Sequence, residues 1–283
     1  MVGPLDDAPR LALISAFGPE WRIVRERLSD RQDHMLLNKD FSTGKLSGKP
    51  VVVFLSGVSM VNAAMSTQLA LDHFNIEGIV FSGVAGGANP DMGIGDIVIP
   101  EKWGQYLEMA YARETPNGFK LPPFLSSEFA NYGMMYTINI GTFEELAGDK
   151  KSRFWFPVDR DYYAAAERAA ARFTITPRDS SGHTLDRKPK VHVGAAGLSG
   201  SAFVDNAEFR EWAYSTFGAC VLDMETAAVS QVADANGVPF LAFRALSDLA
   251  GGEVGPNEFD IFMSIVGDNL ADLVEIFLDE LKP

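Results

Sequence analysis

The run Phe240-Leu-Ala-Phe-Arg-Ala-Leu-Ser-Asp248 is an apolar strand pattern that carries an Arg, a Ser and an Asp to its far end. Open α/β sheets bind ligands at the carboxyl ends of their strands, so Arg244, Ser247 and Asp248 stand where chemistry is expected. A second acidic group, Asp223-Met224-Glu225, opens a helical pattern, and a glycine turn, Phe81-Ser-Gly-Val-Ala-Gly-Gly87, follows another apolar run. Carboxylates gathered at strand ends suit proton transfer, and glycines let a backbone come close to a ligand. Each feature has a plain structural alternative. Asp248 alone reads as a loop cap, Glu225 as an acid favoured by a helix dipole, and Gly83, Gly86 and Gly87 as a tight turn. These glycines lack the spacing of a dinucleotide fingerprint, and His34, His73, His183 and His192 show no metal-ligand spacing. Neither a metal nor a cofactor is expected.

Two kinds of element must hold these residues. Leu11–Ser15, Val51–Leu55, Gly78–Ser82, Ile97–Ile99, Val191–Gly194 and Phe240–Ala245 read as strands, several apolar on both faces as buried strands are. Val61, Ala64, Met65 and Leu69 share one face of a helix. So do Ala227, Ala228 and Val232, in a helix that stops at Asn236-Gly237 ahead of Pro239. A long helix from about Glu258 to Leu281 closes the chain, with Phe262, Ile265, Val266, Leu270 and Leu273 at helical spacing. The alternation predicts the α/β class: one domain over 1–283, a mixed, mostly parallel central sheet flanked by helices. The middle, Trp103 to about Phe156, breaks the rhythm. Rich in Tyr, Phe, Met and Gly and holding Pro116, Pro122 and Pro123, it reads as an aromatic insertion around 104–155 with little regular structure. Such a segment is either folded over the sheet edge or serves as a lid or dimer contact. Pro177 to Pro189 reads as an exposed loop, and no internal repeat is found.

A chain of 283 residues, 47% of them hydrophobic, can bury a substantial single core. Its formal charge of −14 argues against nucleic acid or an anionic membrane surface as the main partner, since both call for a basic face. No run approaches the ~20 apolar residues of a membrane span, so the chain reads as soluble with a small-molecule ligand. Cys220 is the only cysteine, which rules out an internal disulfide and leaves the redox compartment open. Met1 to Arg10 lack the apolar core of a signal peptide. The expectation is a cytoplasmic protein by default, with an exported form that has lost its signal as the alternative.

Taken in order, the motifs resemble the purine and uridine phosphorylase superfamily, and within it the 5'-methylthioadenosine/S-adenosylhomocysteine nucleosidases. Leu13-Ile-Ser-Ala-Phe-Gly-Pro-Glu20 is similar to their first strand and loop, and Ser56-Gly-Val-Ser-Met-Val61 to the next glycine turn. Gly83-Val-Ala-Gly-Gly87 with Gly93-Ile-Gly-Asp-Ile-Val98 resembles the superfamily signature. Leu198-Ser-Gly-Ser-Ala-Phe203 resembles a base-stacking loop, and Asp223-Met-Glu225 and Arg244-Ala-Leu-Ser-Asp248 resemble the ribose-binding and base-protonating segments. The likeness covers roughly Leu11 to Trp103 and Phe156 to Leu281.

The resemblance implies hydrolysis of an N-glycosidic bond. Charge develops on the ribose carbon and on the departing purine, by analogy with O-glycoside cleavage. Asp248 would protonate the base and Glu20 would deprotonate the attacking water. Glu225 would accept from the ribose hydroxyls, Met224 would pack beneath the ribose, and Arg244 would hold the water and the Glu20 carboxylate. Phe203 would stack on the purine, with Val204, Gly86 and Ser247 as further substrate contacts, and Phe17, Val58 and Phe259 would line an apolar 5' pocket. A phosphorylase needs cations for its phosphate. The positions matching its ligands hold Phe81 and Val84, while another register of the first loop makes Arg22 a phosphate ligand. A phosphorylase, a non-catalytic nucleoside-binding or storage-type relative, and futalosine-type or plain adenosine substrates stay open as alternatives. The family also implies a homodimer.

Overall fold

The structure, a computed structural model, describes residues 5–16, 18–141, 152–177, 184–185, 187–252 and 259–281, without the side chains of 20 and 259–265. Phe17 lies outside the described residues, as do the side chains of Glu20 and Phe259.

Twelve described strands form one sheet: β1 (Asp6–Ser15), β2 (Ser29–Leu36), β3 (Lys39–Leu46), β4 (Lys49–Leu55), β5 (Phe74–Gly87), β6 (Ile97–Ile99), β7 (Lys102–Gln105), β8 (Trp155–Pro157), β9 (Val191–Val193), β10 (Ala196–Ser199), β11 (Ala219–Asp223) and β12 (Phe240–Asp248). They run β8-β7-β10-β11-β5-β1-β4-β3-β2, with β12 against β5 and β6, and β9 against β6. The fold class is α/β with a mixed, mostly parallel sheet, as the alternation of patterns predicts. Its centre is parallel: β1 pairs with β4 and β5, and β12 with β5 from Phe240↔Ile79 to Asp248↔Gly86. Val51 to Phe54, Ile79 to Phe81 and all of β12 are buried, because helices cover both faces.

The helices are α1 (Gly18–Glu26), α2 (Met60–His73), α3 (Arg160–Arg172), α4 (Ala207–Phe217), α5 (Thr226–Ala235) and α6 (Phe259–Glu280). Local chemistry sets their ends. Asp159 caps α3 by accepting from the amides of Asp161 and Tyr162, and Asn206 caps α4 through Phe209 N at 2.9 Å. Gly218 (φ 64°) ends α4, and Gly237 (φ 65°) follows α5 where the Asn236-Gly237 signal places its stop.

Three readings differ from the sequence expectation. In α2 the buried residues are Met60, Ala63, Ser66, Thr67 and Ala70, while Val61 and Met65 of the predicted apolar face are exposed. Small and hydroxyl residues pack inward there, since Ser66 and Thr67 satisfy their hydroxyls on helix carbonyls. The middle segment also holds more regular structure than its composition suggests. β7 and β8 bracket it at the sheet edge, and short antiparallel pairs join Met109–Tyr111 to Met135–Thr137 and Arg113–Thr115 to Gly118–Lys120. Trp103 and Tyr106 are fully buried, filling the space left by Gly197 and Gly200. In the predicted loop Pro177 to Pro189, Leu185 is buried and Arg187 pairs with Asp96.

Candidate active site

The ends of β1, β4, β5, β10, β11 and β12 converge on a cavity of about 250 Å³. Ala16, Val58, Val84 to Gly86, Ala202 to Val204, Leu222 to Glu225, Ser247, Asp248 and Ala250 line it. Its walls are apolar and its polar groups few, the usual composition of a small-molecule site.

Asp248 is delivered by β12, whose register shifts between Leu246 and Asp248. Its Oδ2 accepts from Ser247 Oγ at 2.9 Å and its Oδ1 from Ala250 N at 2.8 Å, and the residue is buried. Opposite it on β5 is Gly86, where a Cβ would stand 3.1 Å from Asp248 Oδ1 and from Ala250 Cβ. The glycine gives the carboxylate its room.

Glu225 precedes the first turn of α5 without capping it through its side chain. Oε1 accepts from Ser59 N at 2.6 Å and Oε2 from Met224 N at 3.3 Å. Burial and then the neighbouring Asp223 charge push its pKa up to about 7, against the opposing pull of the Ser59 and Met224 amides and Arg244.

Asp223 is the hub behind it. It accepts from the hydroxyls of Ser199 and Thr226, from the Glu225 and Thr226 amides at 3.3 and 3.2 Å, and from Arg244 Nε at 2.8 Å. Arg244 is fully buried, bonds Thr226 Oγ1 as well, and lays its guanidinium 4.0 Å from the centre of the Phe81 ring. It stands behind Asp223 and is not among the residues lining the cavity. Its Nη1 has no partner among the described residues.

Of the residues singled out from sequence, Val58, Gly86, Phe203, Val204, Met224, Glu225, Ser247 and Asp248 come together around this one cavity. Phe203 is 59% exposed, at the rim. Glu20 falls in α1, Phe259 opens α6, and neither side chain is described. Sequence reasoning passed over Asp223, Ser199 and Thr226 as site residues. Their types signal nothing alone, although Ser199 and Asp223 lie inside segments already singled out. Phe81 is buried under Arg244, Val84 lines the cavity, and Arg22 is exposed on α1 and does not line it.

Residues 10–279 match the phosphorylase superfamily. The chain belongs to that superfamily. Among superfamily members of similar sequence is the 5'-methylthioadenosine/S-adenosylhomocysteine nucleosidase of Geobacillus kaustophilus, 30% identical over 276 residues that cover 96% of this chain and 98% of the relative. The structure of a 5'-methylthioadenosine/S-adenosylhomocysteine nucleosidase from Colwellia psychrerythraea in complex with adenine is similar with a TM-score of 0.72 and 26% identity, over 96% of each chain. A futalosine hydrolase mutant of Helicobacter pylori shares the fold at a TM-score of 0.70 and 20% identity, covering 97% of this chain and all of that one.

Proposed function

We propose that this chain hydrolyses the N-glycosidic bond of a purine nucleoside of the 5'-methylthioadenosine/S-adenosylhomocysteine kind. The observation that carries the reading is one apolar cavity lined by three buried carboxylates, Asp223, Glu225 and Asp248, in a chain with nucleosidase relatives along nearly its full length. Asp248 gives its proton to the purine as the bond to the ribose carbon breaks. Glu20 takes a proton from the water whose oxygen joins that carbon, so base and free sugar leave as neutral products. Glu225 accepts from the ribose hydroxyls, which holds the sugar in register with the water. Met224 packs beneath the ribose and Phe203 stacks on the purine beside Val204. Arg244 holds Asp223 in place from behind the cavity wall. Val58, with Phe17 and Phe259, receives the 5' substituent.

Electrostatics favours water over phosphate as the acceptor. Asp223, Glu225 and Asp248 line the cavity and no Lys or Arg does so among the described residues. A phosphate dianion placed there meets like charges without a compensating cation. Incubation with a nucleoside panel, with and without phosphate, tests this. We expect free base and free sugar at the same rate in phosphate-free buffer. Strict phosphate dependence with a sugar 1-phosphate as product would refute it.

We infer that the working form is a homodimer. Val58, Val61 and Met65, at 50%, 77% and 43% exposure, put an apolar face beside the cavity mouth. Val61→Lys should halve the mass seen by light scattering and leave monomer stability within ~0.5 kcal/mol, as surface changes do. A parent that is monomeric and fully active at micromolar concentration refutes the inference.

A further inference from the structure

Ser59 opens α2 with φ 83° and ψ 156°, a backbone region that belongs almost wholly to glycine. A serine ahead of a helix ordinarily turns its hydroxyl onto the first-turn amides, yet the Ser59 side chain makes no such bond. Its polar groups go elsewhere. The backbone N–H donates to Glu225 Oε1 at 2.6 Å, a charge-assisted bond, and Oγ lies 3.4 Å from Oγ of Ser201. Gly57 (φ 76°) and a 2.7 Å bond from Asn62 Nδ2 to Val58 O hold the turn in this shape.

These contacts join the two lips of the cavity. Val58, next to Ser59, lines one side, and Ala202, Phe203 and Val204, just after Ser201, line the other. Strain retained at such a place calls for a reason in function, because a glycine would hold the same turn at lower cost. What glycine lacks is the hydroxyl.

We propose that Ser59 is a positioning residue: its amide fixes one lip of the cavity to Glu225, and its hydroxyl latches that lip to Ser201 on the loop carrying Phe203. The inference rests on the reading of the cavity as a nucleoside site. At 3.4 Å the hydroxyl pair is long for an O–H···O bond. A weak latch suits a mouth that must admit a nucleoside and release a base. The amide bond to Glu225 is short at 2.6 Å, so the Val58 side is the more firmly held of the two lips.

Ser59→Ala and Ser201→Ala, made singly and together, test the latch by a double-mutant cycle. Deuterium uptake at the amides of 200–204 in the ligand-free protein should rise about threefold to tenfold in either single variant, the worth of one modest hydrogen bond. It should rise no further in the double variant. The nucleoside KM should rise by a similar factor, with kcat moving less. Ser59→Gly, which keeps the amide and releases the strain, should show the same uptake with a higher melting temperature. Unchanged uptake in the single variants, additive effects in the double, or raised uptake beside an unchanged KM would each overturn the latch. Uptake is read without substrate, so a parent that cleaves no nucleoside would sink the site reading alone.

Discussion

Asp96 and Glu225 are both buried carboxylates beside strands of one sheet, and their surroundings push them in opposite directions. Asp96, just before β6, is fully buried and accepts from Arg187 Nη1 at 2.7 Å, His192 Nε2 at 2.9 Å, Lys190 N at 2.8 Å and Gly93 N at 3.1 Å. Burial alone would raise its pKa, yet these partners together hold it below the usual carboxylate range. Glu225 has two amides, a distant share of Arg244, and Asp223 as a neighbour of like charge, and it rises to about 7. A saturated buried acid is a fastener between β6, β9 and the Arg187 segment. One left undersupplied beside a cavity keeps capacity for a ligand's hydroxyls.

The first way to sharpen this contrast is to remove an acid from each cluster. Asp248→Asn keeps shape and hydrogen-bonding capacity but loses the proton, so single-turnover cleavage should fall by about a hundred- to ten-thousand-fold. Nucleoside binding should survive better, the pattern of an interaction made mainly in the transition state. A rate within a few-fold of the parent in correctly folded protein would make Asp248 a loop cap.

Asp96→Asn should do the reverse. It leaves Arg187 and His192 without their carboxylate, at about 1–3 kcal/mol of stability, while cleavage per folded molecule stays near the parent. Chemical unfolding beside initial rates reads both. The sign with pH follows from the lowered pKa: the Asp96 contribution is present above the ordinary Asp pKa and is lost as pH falls through its lower folded value. A large rate loss with unchanged stability would erase the distinction between fastener and site.

The pH profile of Glu225 tests the other arm with a smaller effect. If ribose binding needs the ionised carboxylate, kcat/KM of the parent should fall about tenfold per pH unit below about 7. Glu225→Gln should flatten that limb at a lower rate. Stability runs the other way. A raised carboxylate pKa gives a contribution that is full below the unfolded-state value and lost as pH rises through about 7. A parental profile with no acidic limb near 7 would show that Glu225 does not titrate in the free protein.

By itself the sequence determined the parallel core and the residues at its strand ends. Continuous apolar runs such as Val51 to Leu55 and Phe240 to Ala245 have no other stable use than strands buried on both faces, and Asn236-Gly237 can end a helix by local chemistry alone. Asp248 and Glu225 were legible because motif order tied them to strand ends. The polar hairpin β2–β3 and the edge strands β7 and β8 were not, since edge pairing depends on neighbours far along the chain rather than on periodicity. The facing of α2 likewise turned on which side β5 and α5 cover, against its own apolar stripe. Tertiary structure alone decided that Arg244 lies behind Asp223 against the Phe81 ring, that Glu225 bonds the amide of Ser59 from 166 positions away, and that Asp96 is saturated while Glu225 is not. Charge and hydrogen-bond supply are properties of a place in space, and a residue's type says only what it could do once there.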